Sequence, residues 1–182
     1  MIGTGEIVGV ALAALIVFWM VGAYNRLMRL RGALGQAFTQ VDEVLQRRAA
    51  AATALVEALR EPLHTEAGTL QAVTAGLGAV QRAGDAVRQR PTEGAAVAAL
   101  AAADAELSSA LTRLAALVEH RMELAGDASI TPHRAALGEA LSRLGFARQL
   151  FNDAVGAYNQ ALDDFPTRLL VRLFRLTPGA TL

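Results

Sequence analysis

The chain has 182 residues, about one domain's worth, with 39 alanines, 17 arginines, no lysine and nine aromatic residues. Alanine at that level, with few β-branched or aromatic residues after the first 24 positions, argues for helix and excludes all-β and Rossmann-type folds. The absence of cysteine excludes disulfides, thiolate metal sites and cysteine nucleophiles, and 17 arginines against 17 acids leave no global basic field for nucleic-acid binding.

The first element is apolar. Ile7 to Asn25 are 19 uncharged residues between Glu6 and Arg26, and as a helix they cross about 28 Å, close to the thickness of a hydrocarbon core. A cleaved signal peptide is the competing reading, because Val21-Gly22-Ala23 resembles a small-x-small cleavage site. No Lys or Arg precedes the segment, however, and this favours an uncleaved transmembrane anchor over residues 1–24. Trp19 and Tyr24 suit an interfacial belt, and Arg26, Arg29 and Arg31 follow at once. The positive-inside rule then puts the N-terminus outside and the rest of the chain in the cytoplasm.

Beyond the anchor, Pro62, Pro91 and Pro132 punctuate long helical stretches. Leu34, Phe38, Val41, Leu45, Ala52, Leu55 and Leu59 form a heptad-like stripe, interrupted by Arg48. The next stretch, Leu63 to Arg90, contains Gly68, Gly76, Gly78 and Gly84, each costing about 1 kcal/mol relative to Ala in a helix interior, so its neighbours must hold it. From Thr92, a candidate cap, to Ala125 the core stripe is Val97, Leu100, Leu107, Leu111, Leu114 and Val118. Gly126 to Thr131 reads as a turn, with Thr131 capping the next helix and Pro132 in its first turn. The last stripe is Leu137, Leu141, Leu144, Phe151, Val155, Tyr158, Leu162 and Phe165, interrupted by Arg148. The expected architecture is all-α: a transmembrane helix, then an antiparallel four-helix up-and-down bundle over residues 25–165. Residues 166–182 follow as a tail in which Pro166 starts a short amphipathic helix. Arg168, Arg172 and Arg175 cluster on it, either at the membrane surface or with its apolar side capping the bundle.

Catalytic patterns are thin. His64, His120 and His133 lie on three different segments with no metal-ligand spacing. Asp163 and Asp164 are adjacent and diverge by about 100° on a helix. Gly76-Leu77-Gly78 lacks the strand and Lys of a phosphate loop, and Ser108-Ser109 have no local base. No catalytic residue, cofactor or metal is expected. The polar residues inside the stripes are more informative, because a buried guanidinium needs a carboxylate. With Tyr24 level with Phe165 on an antiparallel neighbour, Arg148 faces Asp42 and Arg48 lies within a turn of Glu139. Asn152 and Asn159 lie two helical turns apart beside Phe151 and Tyr158, so Asn152, Tyr158 and Asn159 are either register-setting contacts within the bundle or a partner-docking ridge.

The run Tyr24-Asn25-Arg26-Leu27, Leu30-Arg31, Ala37-Phe38-Thr39-Gln40-Val41-Asp42, Leu45, Arg47-Arg48 and Leu55-Val56-Glu57 resembles the signature of LemA-family membrane proteins. So does the C-terminal set Phe146-Ala147-Arg148-Gln149, Phe151-Asn152-Asp153-Ala154-Val155, Tyr158-Asn159, Phe165-Pro166, Leu173-Phe174 and Pro178. The resemblance implies a single-pass bacterial inner-membrane protein with a helical-bundle domain and no established catalytic activity. The chain departs from the family where Ala51-Ala52-Thr53-Ala54-Leu55 replaces a Leu-Ile-Pro-Asn-Leu segment, which implies a smoother first helix. The expected function is a non-catalytic scaffold that docks other envelope proteins. The alternatives are an accessory partner of a membrane-bound protease, which the resemblance loosely suggests, or a homo-oligomer that shapes the membrane.

Overall fold

The computed structural model describes residues 3–165, 167–174 and 176–182, without the side chains of Thr4, Leu169, Leu170, Arg172 and Leu173. The described residues are helical and contain no strand. Helix α1 spans Thr4–Leu59, α2 Ala67–Gln89, α3 Gly94–His120, α4 Met122–Ala125, α5 Thr131–Asp163 and α6 Thr167–Phe174, and a 3₁₀ turn at His64–Glu66 precedes α2.

Helix α1 runs for 56 residues without a break, about 84 Å at the α-helical rise. Its apolar N-terminal stretch packs on almost nothing, and Phe18 is 77 % exposed. From Ala23 onward one face is buried through Leu27, Leu34, Phe38, Val41, Leu45, Ala52, Leu55 and Leu59. The helix does not break at Tyr24, so the boundary between apolar stretch and packed domain is a change of surroundings within one helix. It also continues through Ala51–Leu55, where a proline would have bent it. Among the described residues two helices are long and apolar enough to cross a membrane, α1 and α3, but a large part of the α3 window is packed inside the domain.

Helix α5 lies antiparallel along α1. Arg26 meets Asp164 at 3.2 Å, and the rings of Phe38 and Phe151 meet edge-on with centroids 5.8 Å apart. Helix α2 runs back along α1, where Arg88 reaches Asp42. It is itself antiparallel to α3, against which Gly76 lies so close that a Cβ there would sit 3.2 Å from the Leu107 Cα. The glycines of this segment therefore do more than loosen a helix: Gly76 lets two backbones approach.

Helix starts differ from expectation by a residue. Ile130 occupies the position before α5 and is buried, while the Thr131 hydroxyl donates back to the Asp127 carbonyl at 2.9 Å. Helix α3 begins at Gly94 after Glu93 rather than after Thr92. In the last stripe Leu141 is exposed, because Ala140 takes the inward position and Leu141 lies about 100° further round. Phe165 is exposed to solvent too, although its ring packs on Trp19, with centroids 4.8 Å apart.

The long helices are unequal. Helix α2 has 23 residues and α3 has 27, against 33 in α5, and the Asp42–Arg88 contact sets the end of α2 level with Asp42. The stretch of α1 from Leu27 to Phe38, with the facing part of α5, extends past the α2–α3 pair. Residues 176–182 fold back to cover it: Leu176, Ala180 and Leu182 pack against the core, and the Ala180 Cβ approaches Gly94 at the start of α3.

Candidate functional site

Two polar arrangements stand out against a largely apolar core. In the first, Arg48 from α1 and Arg148 from α5 each donate to one oxygen of the Asp104 carboxylate on α3. Arg48 is 1 % exposed, and its Nε and one terminal nitrogen are buried without a protein partner. Arg148 is about one-third exposed, so its stem packs while its head reaches toward water. Asp104 thus ties α3 to α1 and α5 at once.

This arrangement corrects the expected pairing. The register of α1 and α5 is the anticipated one, yet Arg148 does not reach Asp42, nor Arg48 Glu139. Asp42 follows the inward-facing Val41 by one residue and so points about 100° away, toward α2. There it accepts from Arg88 at 2.7 Å and from Gln46 at 3.1 Å. Hydrogen bonding to Asp42 raises the Arg88 pKa, as does the Coulomb attraction of that carboxylate. Glu139 lies on the outer face of α5 and pairs with Arg143 one turn on, at 2.5 Å. The sequence carried a signal for Asp104: the α3 stripe skips from Leu100 to Leu107, and residue 104 is the inward position between them.

Beside this core lies a cleft of about 340 Å³ between α1, α2 and α3, bordered by Arg48, Asp42, Arg88, Asp85 and Leu107. Its charges pair, Arg88 with Asp42 across the mouth and with Asp85 on its own helix at 2.7 Å. Among the described residues no three His, Asp or Glu side chains gather as a metal ion would need.

The second arrangement is the groove that holds the C-terminal segment. Asn159 donates to the Gly179 carbonyl at 2.9 Å and accepts from the Gly179 amide at 2.8 Å. Asn152 does the same at Leu182, at 3.0 and 2.8 Å. The Tyr158 hydroxyl donates to the Thr177 carbonyl at 3.4 Å, beyond the Asn159 contact. Burial pushes the Tyr158 phenol above its ordinary pKa, against a smaller opposing effect from Arg31. The row Asn152, Tyr158 and Asn159 therefore faces the chain's own tail; as a free docking ridge it is covered.

The arginines named for a membrane surface are placed unevenly. Arg26, Arg29 and Arg31 are exposed just after the apolar stretch, and so is Arg168 in α6. Arg175 and the Arg172 side chain lie outside the described residues, as does Pro166. Phe174 packs on Tyr24 with ring centroids 5.5 Å apart, so α6 begins and ends against the helical turns around Trp19 and Tyr24.

A family model described as the LemA family matches residues 37–182. The chain belongs to the LemA family. The match covers α5, the tail and Arg48, Asp104 and Arg148, but it starts after the apolar stretch, so the case for a membrane span rests on this chain's own residues 7–25. The motif residues from Tyr24 to Arg31 also fall before it. No curated protein sequence matches the chain.

Proposed function

We propose that this LemA-family chain is a single-pass inner-membrane scaffold without catalytic activity. Its four long helices form an antiparallel up-and-down bundle on the cytoplasmic side, where it docks other envelope proteins. The observation that carries the reading is the continuity of α1. One helix bears a bare apolar stretch long enough to span a bilayer and then, without a joint, becomes a core helix of the folded domain. Such a domain is held upright, at a fixed height above the bilayer.

Electrostatics support the orientation. Three arginines follow the apolar stretch and only Glu6 precedes it. Helix α6, set against Trp19 and Tyr24 and carrying the exposed Arg168, fits the head-group level, where basic residues gain from anionic lipid. The absence of catalysis is supported by how the unusual polar groups are used: Arg48 and Arg148 share Asp104, and the asparagines hold the tail. For docking, the outer α1–α5 face offers Phe146, 66 % exposed beside Val44 and Arg143, an aromatic of the kind that anchors interfaces.

Amine-reactive crosslinkers suit this chain poorly because it has no lysine. A photoreactive phenylalanine analogue at Phe146, illuminated in native membranes, tests the reading. Crosslinks to a defined envelope protein are expected from Phe146 and not from Ala105 on α3. Crosslinks to lipid alone, or the same products from both sites, would contradict it.

A further inference from the structure

The groove on α5 reads the backbone of an extended chain. Asn152 and Asn159 are seven residues apart, about 10.5 Å along the helix, and Gly179 and Leu182 are three residues apart, about 10 Å in an extended strand. The two spacings match, so each carboxamide meets the N–H and C=O of one residue in the manner of a neighbouring strand. Among the described residues, the five hydrogen bonds that Asn152, Tyr158 and Asn159 make to the tail fall on its main chain. At Gly179 a Cβ would lie 3.4 Å from Val155 and 3.6 Å from Leu34.

The segment covers much but is itself weakly covered. Leu34, Val155 and Tyr158 beneath it are buried, whereas no residue from 176 to 182 is. A segment of this kind opens more readily than the core. Once open, it leaves an apolar strip and two unpaired carboxamides that need a replacement of the same shape. A second copy of this chain supplies that replacement residue for residue, at the same height on the same membrane, where tethering raises the local concentration. We propose that residues 176–182 exchange between copies, the segment of one chain filling the Asn152–Asn159 groove of another to form a tail-swapped dimer. Exchange preserves the groove contacts of the closed chain and gives up only the local bond from the Leu176 amide to the Val171 carbonyl of α6, which makes it a low-cost route to a dimer. From the proposed function this takes only the membrane tether.

The natural absence of cysteine makes the test clean. Two differently tagged full-length chains, one with Val155→Cys and the other with Gly179→Cys, are co-expressed and their membranes mildly oxidised. A disulfide-linked dimer carrying both tags is expected, well above the yield when Gly179→Cys is paired instead with Ser109→Cys. Equal yields, or a chain with both cysteines that closes only on itself, would overturn the exchange; no disulfide even in that chain would overturn the groove. As a check without substitution in the groove, the full chain in detergent is expected to be dimeric and a chain ending at residue 175 monomeric. A monomeric full chain would also overturn the proposal. Fractionation of the same cells reports separately on the anchor.

Discussion

Arg48 and Asp104 are paired in the core, their side chains 1 % and 6 % exposed. Removing one member of such a pair leaves the other as a buried unpaired charge, at a cost of about 3–5 kcal/mol. Asp104→Ala is therefore expected to destabilise the domain strongly, as read by urea unfolding in detergent. Asp42→Ala breaks a pair whose arginine is half exposed and is expected to cost about 1 kcal/mol or less. Replacing Arg48 by Met and Asp104 by Leu together should recover most of the loss, because the remaining partner, Arg148, is one-third exposed and can turn to water; additive losses would contradict the pairing.

The glycines divide into two kinds. At Gly76 a Cβ would press on the Leu107 backbone, whereas at Gly138 nothing lies within 4 Å. Gly76→Ala is expected to destabilise by about 1–3 kcal/mol through overpacking. Gly138→Ala, in open space inside α5, is expected to stabilise by about 0.5–1 kcal/mol. The unfolding midpoints of the two variants should move in opposite directions.

Tyr158 gives the tail a spectroscopic reporter. Its folded phenol releases its proton above the ordinary value of 10.0 because it is buried. This contribution to stability is intact below that value and is lost as pH rises through the raised folded one. In a Tyr24→Phe background, phenolate absorbance should titrate late in the intact chain and earlier once residues 176–182 are removed. Identical titrations would mean that the tail does not cover the ring.

The stripes of α1 and α5 were legible because core positions recur with the helical period, and the register followed from lining up their ends: Phe38 does meet Phe151. The partners of the arginines were not, because Asp104 sits in an alanine-rich helix where one carboxylate in a gap of the stripe attracts little notice. The tail was legible only in part. Thr177-Pro178-Gly179 has no period to read, and its place is set by α2 and α3 being too short to cover Leu34, a matter of relative helix length. The two asparagines were visible as a row; their partner was an extended segment that only the fold brings back.

In the proposed function α1 carries the domain out of the bilayer on the cytoplasmic side. Single cysteines at Gly3 and Ser108, labelled with an impermeant maleimide in intact and opened cells, distinguish this orientation from its reverse. The Gly3 position is expected to react in intact cells and the Ser108 position only after opening. Labelling of the Ser108 position in intact cells, or of neither position until opening, would contradict it.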